Sequence, residues 1–154
     1  AGSLIVFAFF LFIADRIGKK DRQIKEMNWK DAVWIGLGQA FALIPGASRS
    51  GTTLTAGLLL GFDRAAAMRY SFLLSIPAIA LSGFYELIKD FGELQQQGLV
   101  SLLVGTLVSV VSSYVVVAGL LRFLRTHTTM VFVVYRVAMG LFILGLLYTQ
   151  VLEP

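Results

Sequence analysis

The sequence contains no cysteine, which excludes a disulfide framework and any thiolate metal site. Charge is scarce too: Asp, Glu, Lys and Arg make up 14% of the residues, against about 25% in a soluble domain. So few charges cannot cover a water-facing surface. There is a single histidine, and there are only three prolines to interrupt helices. What the chain does have is apolar residue, 57% of 154 positions, in long blocks rather than at scattered core positions. This is the composition of an integral membrane chain. The net charge of +4 then reflects Lys and Arg in cytoplasmic loops, and no nucleic-acid partner is expected. Ala1 stands inside an apolar run with neither an initiator Met nor a basic leader. The chain therefore reads as a piece of a longer protein and not as one with a signal peptide.

The ends of the apolar runs give the organisation of a single membrane domain over 1–154. Residues 1–14 read as the clipped end of a spanning helix, and 15–31 as a cytoplasmic segment with six basic and four acidic residues. Ala32 to Ile44 is apolar but short, about 20 Å as a helix, against a hydrocarbon core of about 30 Å. Pro45 and Gly46 stop it, a polar loop follows, and Thr53 to Phe62 is a second short apolar stretch. Residues 32–62 are thus expected to form a re-entrant hairpin, whose broken backbone must be buried in protein or line a wet cavity. Asp63 is the expected N-cap of a span over 64–90 with a bend at Pro77. After a polar connection from Phe91 to Gly98, two more spans are expected at 99–121 and 130–152, joined by a short loop with Arg122, Arg125 and His127. The expected fold class is an all-α polytopic membrane protein with about four spanning helices plus one re-entrant helix hairpin. With 15–31 in the cytoplasm, every basic loop falls on the cytoplasmic side, as the positive-inside rule asks.

The loop between the two short segments reads Pro45-Gly46-Ala47-Ser48-Arg49-Ser50-Gly51-Thr52-Thr53. Gly46 and Gly51 allow backbone torsions and close approaches that side chains block. Ser48, Ser50, Thr52 and Thr53 supply hydroxyls, and Arg49 supplies a planar fork of donors suited to two phosphate oxygens. A half-helix beginning near Thr52 would add unpaired N–H groups and the positive end of its dipole. No carboxylate sits in the loop to repel an anion. The bland alternative is small residues for tight helix packing, with Arg49 satisfying carbonyls of a neighbour. An arginine placed about 20 Å into an apolar hairpin favours function instead. The spacing Gly46-x4-Gly51-Thr52-Thr53 is that of a Walker A loop, but Thr52 holds the lysine position and a membrane helix precedes it, so nucleotide hydrolysis is not expected.

The stretch from Gly38 through Gln39 to Thr53, with Ser71-Phe72-Leu73-Leu74-Ser75-Ile76-Pro77 and the late Tyr135-Arg136, resembles the second signature and following region of the undecaprenyl-diphosphatase, or bacitracin-resistance, family. The resemblance covers essentially the whole chain, as the C-terminal half of a family member. It implies hydrolysis of undecaprenyl diphosphate to the monophosphate, recycling the lipid carrier for peptidoglycan synthesis in the bacterial inner (plasma) membrane. It also implies a polyprenyl diphosphate substrate among membrane lipids, and one half of an inverted repeat whose two broken hairpins face each other. A divalent cation, magnesium or calcium, is implied too, with its ligands in a glutamate-rich N-terminal half. Oligomeric state is left open, a homodimer included.

On this reading Arg49 clamps the diphosphate and takes up developing charge, while Ser48, Ser50 and Thr53 hydrogen-bond the phosphates. Gly46 and Gly51 let the backbone approach its ligand, and Thr52 adds a further substrate-binding hydroxyl. No base stands beside Ser48 or Ser50, which favours positioning over nucleophilic attack. Two residues keep more than one reading: Gln39 orients the loop, contacts the substrate or makes a polar contact between helices, and Arg136 is either a second phosphate contact or a partner for helix carbonyls. Gly57-x3-Gly61 reads as a helix-packing pattern, and His127 as a solvated or headgroup-contacting residue and not a catalyst. The runner-up function is a transporter or flippase of a phosphate-bearing lipid or anion, which also aims a half-helix N-terminus at its substrate.

Overall fold

A computed structural model of the chain describes residues 1–89 and 99–149, and its regular elements there are all helical. Helix α1 runs Gly2–Ile17, α2 Trp29–Ala40, α3 Arg49–Leu59, α4 Arg64–Lys89, α5 Leu99–Thr126 and α6 Met130–Tyr148. Single 3-10 turns occupy Ile24–Glu26 and Phe41–Leu43. The connection from Phe91 to Gly98 and the last residues of the final expected span lie outside the described residues.

Local chemistry sets the boundaries. Asn28 Oδ1 accepts from the N–H groups of Lys30 and Asp31 at 2.9 and 3.1 Å, and the Asp31 carboxylate accepts from Asn28 N at 3.0 Å. This reciprocal capping box starts α2 at Trp29, inside the stretch expected to be a polar surface segment. Asp63 caps α4 as expected, its Oδ1 accepting from Ala66 N at 2.7 Å. Helix α4 continues through Pro77. The expected end of α5 at residue 121 is corrected: Arg122 and Arg125 lie in its last turns, not in the loop, which shrinks to the residues around His127. Arginine is a good helix former, and a cation in the last turn complements the carbonyl end of the helix dipole.

Three of these helices, Arg64–Lys89, Val100–Thr126 and Met130–Tyr148, are long and apolar enough to cross a membrane. The 16, 12 and 11 residues of α1, α2 and α3 correspond to about 24, 18 and 16 Å, all short of a bilayer core.

Helix α3 is central. It packs against α1, α2 and α4, while α1 packs against α6 and α4 against α5. The buried cluster gathers Ala8, Leu11 and Ala14 of α1, Ile35 of α2, Leu54 and Leu58 of α3, and Val133 of α6. At Gly57 the α3 backbone comes so close to α4 that an added Cβ would stand 2.7 Å from that of Ala67. Gly61 does not belong to this contact, contrary to the packing pattern read from the sequence. It lies beyond α3 with φ of +87°, where the chain turns toward α4.

The far end of α3 is stitched by charge. Arg22 donates to both Asp31 carboxylate oxygens, at 3.1 and 2.6 Å, and to Leu60 O at 3.0 Å, with its guanidinium 4.3 Å over the Phe62 ring. Asp15 accepts from Arg64 Nε at 2.7 Å and from Thr129 Oγ1 at 2.8 Å, tying α1 to the starts of α4 and α6. Burial pushes the Asp15 carboxyl up, but hydrogen bonds from Arg64 and Thr129 outweigh it and hold the group below the ordinary 3.8. Arg22 holds Asp31 below the same value against a smaller burial effect.

Candidate functional site

The loop is shaped by its carbonyl groups. Ser3 Oγ of α1 donates to Pro45 O. Arg136 Nη2 of α6 donates to Gly46 O and Ala47 O, at 2.7 and 2.8 Å. Three successive carbonyls are thus drawn toward α1 and α6. In a planar trans peptide the N–H of the next residue points the opposite way. Gly46 N–H and Ser48 N–H consequently face away from Arg136 and Ser3, while Ala47 N–H closes a turn onto Ile44 O at 3.0 Å. Gly46 accommodates this path with φ of +86°.

Helix α3 begins at Arg49 and not near Thr52, because Ser48 caps it: Ser48 Oγ accepts from Gly51 N at 3.4 Å. The correction matters, since it puts Arg49 and Ser50 into the first turn, where N–H groups have no helical acceptor. Among the described residues the N–H groups of Gly46, Ser48, Arg49 and Ser50 have no acceptor. Ser48 takes φ of 64°, a left-handed value that costs a non-glycine residue about 1–3 kcal/mol and collects at ligand-binding sites. The Arg49 side chain is half-buried and has no hydrogen-bond or ion-pair partner among the described residues.

The other expected site residues divide into two groups. Ser48 and Ser50 stay at the loop, their hydroxyls 3.4 Å apart. Thr52 and Thr53 are buried, and both hydroxyls donate back to Arg49 O, at 3.0 and 2.9 Å. Thr53 Oγ1 also lies 2.6 Å from Ser71 Oγ, a buried contact between α3 and α4. Gly51 sits against Arg136, where a Cβ would come 2.5 Å from Nη1. Arg136 is only 7% exposed and makes the carbonyl contacts described, with Nε left unpartnered. Gln39 Oε1 is likewise buried without a partner. His127 is exposed and stacks on Phe123 with ring centroids 4.3 Å apart. Two participants escaped the sequence reading. Ser71 stood within the family-like string without a role, and Ser3, 42 residues before Pro45, carried no sequence signal at all.

This donor set suits an anion and not a cation. The loop offers N–H groups, hydroxyls and a guanidinium, and no group of three or more Asp, Glu or His that could hold a metal ion occurs among the described residues. An apolar cavity of about 420 Å³ lies beside the loop, bounded by Phe7 and Phe10 of α1, Phe41, Ile44, Thr52 and Ala56.

The sequence pattern described as "Bacitracin resistance protein BacA" matches residues 1–142. The chain belongs to that family. Among BacA relatives, an undecaprenyl-diphosphatase of Myxococcus xanthus is 53% identical over 154 residues, covering 100% of this chain and 52% of the relative. One of Kineococcus radiotolerans is 49% identical over 144 residues, covering 94% of this chain and 51% of the relative. One of Chloroherpeton thalassium is 45% identical, covering 99% of this chain and 57% of the relative. The chain therefore spans about half the length of the BacA relatives it matches.

Proposed function

We propose that this chain provides the phosphate-holding half of a membrane site that hydrolyses undecaprenyl diphosphate to undecaprenyl phosphate and inorganic phosphate. One observation carries the reading: Ser3 and Arg136 hold three loop carbonyls to one side, and among the described residues four N–H groups of the loop and first turn have no acceptor, next to a guanidinium without an acidic partner. Such an arrangement concentrates donors where phosphate oxygens can sit. Family membership supplies the substrate, since the relatives named above are undecaprenyl-diphosphatases.

In hydrolysis, water attacks the terminal phosphorus and the bond from that phosphorus to the bridging oxygen breaks. The bridging oxygen leaves with the lipid phosphate. Arg49 spans oxygens of the two phosphates and stabilises charge as it moves onto the bridging oxygen. The Gly46, Ser48, Arg49 and Ser50 N–H groups hold the terminal phosphate, assisted by the Ser48 and Ser50 hydroxyls. Thr52, Thr53 and Ser71 fix the first turn of α3 from behind. Arg136 positions the loop through the Gly46 and Ala47 carbonyls, which belong to the loop and not to a helix. Among the described residues neither serine hydroxyl is hydrogen-bonded to a carboxylate or histidine, which favours positioning over attack. Gln39 lies in the last turn of α2 with Oε1 buried and without a partner among the described residues, which leaves it open to a substrate contact.

The base that activates water lies outside these 154 residues, in the glutamate-rich half that the family resemblance implies. A magnesium or calcium ion would lower the repulsion among the phosphates. The loop does not fit one, so its ligands belong to the same outside half. Helices α2 and α3 form the re-entrant hairpin, dipping from the cytoplasmic side of the inner membrane. The apolar cavity beside the loop takes the first isoprene units of the substrate.

The test is phosphate release from undecaprenyl diphosphate by the full-length protein in detergent, with and without Arg49→Ala. Release that collapses in the variant supports the reading. Saturable lipid binding without any release would remove the hydrolase and leave the transporter.

A further inference from the structure

At the opposite end of α3 from the loop, about 16 Å of helix away, a second cavity of about 500 Å³ opens between the start of α4 and the end of α5. Four cations line it: Lys20, Arg64, Arg69 and Arg125. The lone carboxylate in its wall, Asp63, is engaged as the N-cap of α4. Lys20 and Arg64 pair with Asp15. Arg69 and Arg125 are exposed and have no hydrogen-bond or ion-pair partner among the described residues. The remaining wall includes Ile24, Leu121 and Leu124.

Depth identifies the kind of ligand. Arg64 is the first residue of one candidate span and Arg125 stands one residue before the end of another, so the cavity lies where spanning helices meet the polar boundary. Arg69 is five residues further into α4, about 7.5 Å along the axis, at the junction of headgroups and acyl chains. By the positive-inside rule this face is cytoplasmic, where basic pockets between membrane helices take acidic headgroups. The apolar wall suits the glycerol and first methylenes of a lipid, which a free phosphate ion would leave uncovered.

We infer that this cavity binds the phosphodiester headgroup of an anionic phospholipid, held by Arg69 and Arg125 with Leu121 and Leu124 against its acyl chains. The site is separate from the phosphate loop and does not depend on the diphosphatase reading.

The experiment uses the full-length protein in detergent, with native mass spectrometry of lipid retention from equal mixtures of phosphatidylglycerol and phosphatidylcholine. The wild type retains phosphatidylglycerol preferentially. Arg69→Gln and Arg125→Gln each lower that preference about fivefold, and together about 25-fold, while phosphatidylcholine retention is unchanged. Arg122→Gln, one turn from Arg125 but outside the cavity lining, leaves the preference intact. Should the double variant lose phosphatidylcholine as well, the Arg69→Lys/Arg125→Lys protein must still prefer phosphatidylglycerol. Its failure to do so would overturn the assignment. So would an unaltered preference in the double Gln variant, an equal loss in Arg122→Gln, or displacement of the lipid by millimolar inorganic phosphate, which would make the ligand a free anion.

Discussion

Arg22 and Arg64 at the C-terminal end of α3 and Arg49 at its N-terminal end use the guanidinium in opposite ways. At the C-terminal end Arg22 and Arg64 are each closed by a carboxylate, Asp31 and Asp15, at 2.6 and 2.7 Å. At the N-terminal end neither Arg49 nor Arg136 meets one among the described residues. Arg136 is turned onto backbone carbonyls and Arg49 onto nothing among the described residues. A paired arginine is a staple whose field is largely cancelled at home. An arginine without an acid, among unpaired N–H groups, keeps its field for a ligand. Along the 11 residues of one helix, paired arginines that hold the fold thus stand at one end and an unpaired one beside the phosphate loop at the other.

The largest effect should come from Arg49→Ala. Losing a donor that acts on developing charge costs roughly 10²–10³-fold in kcat, about 3–4 kcal/mol, with little change in thermal stability because the side chain has no partner to abandon. Phosphate release and a detergent melting curve measure both. Arg49→Lys should recover little, since a lysine cannot span two oxygens as a fork.

Arg136→Lys sharpens the contrast within the loop end itself. Lysine keeps the charge but cannot reproduce the fork held between two carbonyls, so about 1–3 kcal/mol of stability is lost, together with activity. If Arg136 were instead a direct phosphate contact, activity would fall with stability unchanged.

At the stapled end, Asp31→Asn should lower stability by about 1–2 kcal/mol, a charge-assisted contact discounted for its partial exposure. Activity per folded molecule should not change. Both aspartates have folded pKa values below 3.8, so each contributes stability in full above that unfolded value. The contribution is lost as pH falls from about 3.8 through the lower folded value. Melting temperature should decline on acidification in that window, and Asp31→Asn should flatten the decline.

The smallest effect is Thr53→Val, which keeps the shape and removes the hydroxyl facing Ser71. About 1 kcal/mol of stability should go, measured as a shift in the melting midpoint. A collapse of phosphate release without a stability change would place the Thr53 hydroxyl on the phosphate instead.

The membrane class, the Asp63 cap and the donor-rich make-up of the loop were legible in the sequence because each is a local signal: apolar run length, a capping residue, a string of donors. The start of α3 was less so. Ser48 and Thr52 are both acceptable first residues by type, and only the hydrogen bond from Gly51 N to Ser48 decides. That Arg136 binds loop and not helix carbonyls was not legible, since its partners lie 89 and 90 residues away. Ser3 posed the same difficulty. Gly61 misled for a different reason: four-residue glycine spacing looks alike whether the second glycine packs a helix or ends it.

The central claim is that unpaired loop N–H groups receive phosphate, and amide NMR reads it most directly. The full-length protein, ¹⁵N-labelled in nanodiscs, would be titrated with a short-chain prenyl diphosphate. Saturable shifts are predicted at Gly46, Ser48, Arg49 and Ser50, with Ala47, already bonded to Ile44, moving least. Saturable binding that leaves those four amides unmoved would contradict the account.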